Sequence, residues 1–255
     1  MFKKATKKST WLRTAIYGPS GAGKTYSALR IAKGIGLRTA LIDTERRSAS
    51  KYSDKFEFDV CELEDRTIDG YCKAIAAAGK AGYGILIIDS LTHGWQELLA
   101  EIDALATTKY KGNTWSAWSQ GTPKQRALVD AILGFRGHVI ATMRAKTEWK
   151  TVDVAGKSKP QRVGLAPEQG KGIEYEFDQL IEVSPEHSAE VVKDRSGLYQ
   201  DKVVSIIDEA FGATLAGWLG EGDPIEAPEA HPVVRTVAKT FGATVTGVED
   251  ADERF

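Results

Sequence analysis

Sulfur and imidazole are scarce in this chain: two cysteines, two methionines and four histidines in 255 residues. Cys61 and Cys72 lack the short paired spacing of a zinc site, so they read as buried or free thiols in a reducing compartment. No apolar run approaches the roughly 20 residues that span a bilayer. The basic N-terminus has no apolar segment of the kind a secretion signal needs. A soluble, cytoplasmic protein is therefore expected. Neither sign of charge dominates: 34 Lys and Arg stand against 35 Asp and Glu. Any nucleic-acid surface must then be a local patch and not a global field. There is no internal repeat. Apolar residues make up 42% of the chain, enough for the core of one large α/β domain or two small ones.

Against this background one stretch carries chemistry: Gly18-Pro19-Ser20-Gly21-Ala22-Gly23-Lys24-Thr25. It fits G-x-x-x-x-G-K-[ST], a loop whose backbone N–H groups converge on a phosphate at the start of a helix. Lys24 is expected to reach the β- and γ-phosphates and Thr25 to bind Mg²⁺, with Tyr26 opening the helix behind them. Gly18 to Tyr26 is thus the expected ATP contact. The dinucleotide fingerprint is excluded, because its third glycine would fall at Tyr26.

The surrounding pattern alternates strand and helix. Leu12–Tyr17, Arg38–Asp43, Phe56–Val60, Gly84–Asp89 and His138–Thr142 read as strands, and Tyr26–Ala32, Thr67–Lys80, Trp95–Ala106 and Pro123–Leu133 as helices. Unbroken apolar strands such as Ile85-Leu86-Ile87-Ile88 suit a parallel sheet covered on both faces. Asp89 ends that strand and is expected to hold Mg²⁺ through water. Its neighbour is Ser90 and not a glutamate, so a water-polarising carboxylate must come from elsewhere. Glu45, at the end of the neighbouring strand, is the candidate, against a plain ion pair with Arg46 or Arg47. Thr142 and Arg144 sit where a strand end could sense the γ-phosphate. A hairpin follows from Phe177–Val183 and Ala189–Lys193, then a last helix, Asp208–Leu219.

Two segments read as loops. Residues 107–122 interleave Tyr110, Trp115 and Trp118 with Lys109 and Lys111, which suits stacking on bases beside phosphate contact, or tryptophans turned back into the core or an interface. Residues 145–172 hold Lys146, Lys150, Lys157, Lys159, Arg162 and Lys171 with four glycines and two prolines. They read as a DNA-contact loop, or else as a mobile loop or hairpin. A basic tail at 1–10, an ordered domain at 11–220 and a flexible acidic tail at 221–255 complete the expected layout.

In combination these elements resemble the RecA-like P-loop ATPases. The phosphate loop, Leu41-Ile42-Asp43-Thr44-Glu45, Ile85–Asp89 with Ser90, and Lys193-x-Arg195-x-Gly197 appear in the family's order. Within that branch the short layout is similar to phage-encoded RecA-like proteins that anneal single-stranded DNA. The resemblance implies an α/β fold with a mostly parallel core sheet and a C-terminal β-hairpin. It implies Mg²⁺-dependent ATP hydrolysis with Lys24, Glu45 and Arg144 in the site. Lys193 and Arg195 would reach the γ-phosphate held by a neighbouring subunit in a ring or filament. Single-stranded DNA is the implied partner, the host cytoplasm the implied location. The acidic end, 249–255, is similar in type to the tips of single-strand-binding proteins, which makes such a replication protein a further expected partner. The pattern departs at Thr142-Met143-Arg144, where recombinases carry Asn-Gln; this leaves annealing or ATP-driven remodelling. Two other readings stay open: a P-loop kinase for a small molecule or nucleotide, with 145–172 as its lid, and an ATP-switched adaptor or loader.

Overall fold

The computed structural model describes residues 10–154 and 157–220, the side chains of 148–163 excepted. In chain order the elements are β1 (Arg13–Gly18), α1 (Lys24–Ile35), β2 (Thr39–Asp43), a 3-10 turn (Ala49–Tyr52), β3 (Asp59–Glu62), α2 (Ile68–Lys80), β4 (Ile85–Asp89), α3 (Leu91–Lys109), α4 (Thr114–Gly134), β5 (His138–Val154), β6 (Lys157–Pro167), α5 (Ile173–Glu176), β7 (Gln179–Val183), β8 (Ala189–Asp194), β9 (Val203–Val204) and α6 (Glu209–Gly220).

Among the described residues nine strands form one sheet, ordered β3-β2-β4-β5-β1-β7-β8-β9, with β6 attached to β5. From β3 to β7 all pairs are parallel, and β8 and β9 run antiparallel at one edge. The expected α/β architecture with a terminal hairpin is thus observed. Alternate residues of each strand face opposite layers. Ala15, Tyr17, Ile42, Leu86 and Ile88 pack under α2, α3 and α4; Ile16, Leu41, Ile85, Ile87 and Ile140 pack under α1 and α6. Each large side chain so buried contributes about 1.5–3 kcal/mol.

Helix α6 lies on α1 at backbone contact. A Cβ on Gly34 would stand 2.0 Å from Glu209 O, and one on Gly212 would stand 2.2 Å from Ile31 O. Arg30 ties the crossing by donating to Glu209 and to Ile207 O. At the other face Arg13, 5% exposed, donates to Leu12 O, Gly137 O, Leu133 O and Phe135 O. It thereby satisfies the carbonyls of the α4–β5 connection, and burial lowers its pKa to about 10.

Both expected loops are largely regular structure. Residues 107–122 are the end of α3 and the start of α4, joined only by residues 110–113. The Asn113 side chain accepts from Ser116 N at 3.1 Å and starts α4, so Pro123, expected in a first turn, lies inside a helix already capped ten residues earlier. Trp118 packs against the core and stacks near Trp95 at 5.7 Å, whereas Trp115 is 88% exposed. Residues 145–154 and 157–167 form the long β5–β6 ribbon, with a register shift between Glu148 and Trp149. The β-branched Thr147, Thr151, Val152 and Val154 favour the strand over a loop. The tails at 1–9 and 221–255 lie outside the described residues. No described helix is long and apolar enough to cross a membrane, and both cysteines are free thiols.

Candidate nucleotide site

Strand β1 delivers Gly18 to the carboxyl end of the sheet, against β7. A Cβ there would sit 2.3 Å from Val183 O, so only glycine allows the two strands to meet at the loop entrance. The loop then turns through Pro19 and exposed Ser20, and Ala22 N closes it on Pro19 O at 3.3 Å. Gly21 and Gly23 take φ of 80° and 88°, a region that side chains disfavour. Lys24 and Thr25 open α1, whose first-turn amides and dipole favour an anion. The Lys24 ammonium donates to Gly18 O at 3.1 Å and to Pro19 O at 2.8 Å. Burial lowers its pKa, and Asp89 and Glu45 oppose that shift. The ring of Tyr26 faces an aromatic cluster, 5.5 Å from Tyr52 and 5.2 Å from Phe56.

Beside the loop, Thr25 Oγ1 donates to Asp89 Oδ2 at 2.6 Å, and Thr142 donates to the other oxygen of Asp89. Asp89 is 2% exposed; burial raises its pKa and the two hydroxyls oppose this. A hydroxyl and a carboxylate at this separation fit a hard, oxygen-seeking cation such as Mg²⁺, which takes few protein ligands and completes its shell with water and phosphate. Asp43, at the end of β2, accepts from Glu45 N at 2.6 Å and Ala49 N at 3.1 Å. That fixes the turn carrying Glu45. The Glu45 carboxylate meets Arg144 at 3.0 Å and not Arg46 or Arg47. Thr44 is held at 2.7 Å from His93 Nδ1, and burial first, then Arg144, lowers the His93 pKa.

Five side chains from four elements thus converge at the carboxyl end of a parallel sheet: Lys24, Thr25, Asp89, Glu45 and Arg144. The family model of the AAA domain, AAA_24, matches residues 10–205. The chain belongs to this AAA domain family. Curated protein sequences give no match. Among solved structures, the RadB recombinase has 15% identity and a TM-score of 0.43, covering 76% of this chain and 85% of that one. A KaiC-like protein, PH0186 from Pyrococcus horikoshii OT3, has 16% identity and a TM-score of 0.43, covering 77% and 84%.

The AAA domain does not bring Lys193 and Arg195 to its own phosphate loop. Lys193 pairs in register with Leu180, and β7 runs parallel to β1 with Leu180 beside Ala15. Lys193 therefore lies roughly 10 Å down the strand from Gly18, toward the opposite rim. Its ammonium donates to Glu174 O and Tyr175 O, both at 3.0 Å, and burial first, then Arg195, lowers its pKa. Arg195 meets Asp178 at 3.1 Å. What does abut the loop is the β7–β8 turn: His187 Nδ1 lies 3.1 Å from Ala22 O. Neither His187 nor His93 was legible as a site neighbour, since both contacts join residues far apart in sequence and neither histidine sits in a motif.

Proposed function

We propose that this AAA domain is a Mg²⁺-dependent ATPase of the RecA-like class that acts on single-stranded DNA in phage recombination, by annealing or ATP-driven remodelling. The observation that carries this reading is the Glu45–Arg144 pair held beside Lys24 and Asp89. It sets a carboxylate and a guanidinium next to a phosphate cradle. Gly18 to Thr25 would bind the triphosphate, Lys24 neutralising its β- and γ-oxygens. Thr25 and Asp89 would hold Mg²⁺, which would neutralise negative charge on the phosphate groups. Glu45 orients the attacking water and accepts its proton. Arg144 stabilises the charge that gathers on the γ-phosphate.

In this reading Lys193 and Arg195 serve a neighbour. Their position away from the chain's own loop suits a head-to-tail homo-oligomer in which one protomer's rim meets the next one's nucleotide. A cation supplied in trans is worth about 10³–10⁵ in rate. DNA would be met by the β5–β6 ribbon, whose sequence carries Lys146, Lys150, Lys157, Lys159 and Arg162, and by the α3–α4 corner with Lys109, Lys111 and exposed Trp115. The test is ATP turnover with and without a single-stranded oligonucleotide. The expected result is DNA stimulation in the wild type and loss of turnover in Glu45→Gln with ATP binding retained. Equal turnover in the two proteins would remove Glu45 from the mechanism.

A further inference from the structure

A second group of guanidinium side chains lies on the far side of β2 from the phosphate loop, with β4 and β5 in between. Arg46, Arg47 and Arg66 line a pocket of about 310 Å³ beyond Asp43 and Thr44. Arg46 and Arg47 both take left-handed backbone, at φ 55° and 66°, a conformation that costs non-glycine residues energy and collects at ligand sites. The acids nearby are mostly engaged. Both Asp43 oxygens accept backbone amides, and Glu62 meets Arg47 at 2.7 Å. That leaves Glu64 as the other acid in the lining with Arg46 and Arg66. Arg46 has no hydrogen bond or ion pair among the described residues. The Arg66 Nε is buried and has no hydrogen-bond partner, an arrangement that favours an external acceptor.

We propose that this pocket binds a phosphate group, gripped by Arg46, next to Glu45 in the chain, and by Arg66, with Arg47 at its rim. Guanidinium forks match phosphate oxygens in a way that single ammonium groups do not. The phosphate comes either from the backbone of a bound nucleic-acid strand or from a free anion. Only the first source rests on the DNA reading above.

The experiment compares Lys24→Ala, which silences the phosphate loop, with the same chain also carrying Arg46→Ala and Arg66→Gln. Pyrophosphate binding is measured by titration calorimetry. In the otherwise unmodified chain, the arginine pair is tested for binding of a labelled thymidine oligonucleotide across a salt series, and for ATP affinity. Pyrophosphate affinity is expected to fall at least about tenfold, as two charge-assisted contacts are removed. ATP affinity is unchanged. For a strand phosphate, the slope of log affinity against log salt shrinks by about 1.4, or about 0.7 for each of two contacts. Loss of pyrophosphate binding with an unaltered oligonucleotide slope assigns the site to a free anion. A wild type that binds no oligonucleotide sinks the DNA reading and leaves the pyrophosphate result to decide the pocket. Unchanged pyrophosphate affinity and unchanged slope overturn the proposal. Exposed Arg46→Ala alone repeats the test if the Arg66 variant melts early.

Discussion

Replacing Arg144 by glutamine separates a catalytic role from a structural one. The Arg144–Glu45 pair is partly solvent-exposed, with side chains 44% and 32% accessible. Pairs of this kind are worth about 0–1 kcal/mol of stability. Arg144 also binds Thr92 Oγ1, but through its backbone N–H at 2.9 Å, a contact that glutamine keeps. The melting temperature should therefore fall by no more than about 4 °C. Removing one preorganised donor from a developing negative charge costs about 10²–10³ in turnover, roughly 2.7–4 kcal/mol. Arg144→Gln is thus expected to hold its fold, keep ATP affinity within a few-fold and lose phosphate release almost entirely. Thermal melting, nucleotide titration and steady-state phosphate release, on one preparation, read all three. Turnover within threefold of wild type would refute the role given to Arg144. So would a turnover loss matched by a collapse in melting temperature, because the residue would then be holding structure.

Other outcomes are equally definite. Gly18→Ala would force a methyl to 2.3 Å from Val183 O, two backbones having to part; a loss of about 1–3 kcal/mol or more and a weakened ATP affinity should appear together in melting and titration. A mixture of Glu45→Gln and Arg195→Ala proteins, each inactive alone, should regain about a quarter of wild-type turnover by random assembly if sites are shared in a head-to-tail oligomer; no recovery argues against sharing. His138 accepts from Leu12 N at 3.1 Å, and burial, aided by Arg13, lowers its pKa from 6.5 to about 4. The unfolded chain takes up this proton first, so stability present above pH 6.5 is lost as pH falls toward 4, at about 1.4 kcal/mol per pH unit. His138→Asn, which keeps an acceptor, should flatten that part of a denaturant-measured pH profile. Asn113→Ala should cost about 1 kcal/mol by removing the α4 cap, read from chemical denaturation.

The parts of the fold written locally were legible in the sequence. The phosphate loop needs its glycines at fixed places, and the stretches Ala40–Ile42 of β2 and Ile85–Ile88 of β4 are apolar because both faces are covered. Asp43-Thr44-Glu45 and Asp89 could be assigned to strand ends for the same reason. Reading failed where a local signal was outweighed. Pro123 suggested a helix start, yet the Asn113 cap and the core contacts of Ala117 and Trp118 carry α4 through it. The glycines and lysines of 145–172 suggested a loop, with a hairpin as the alternative; the cross-strand pairing of β5 and β6 depends on a partner strand and leaves little local trace. For Glu45 a plain ion pair with its neighbours Arg46 or Arg47 was the alternative to a catalytic role. Sheet order brings Arg144 there instead, and sheet order is not a local property.

The crossing of α1 and α6 has a mechanical consequence. Where Gly34 and Gly212 let the two backbones touch, no Cβ stands between them to absorb a displacement by changing rotamer. A displacement of α6 is therefore passed directly to the helix whose opening residues are Lys24 and Thr25.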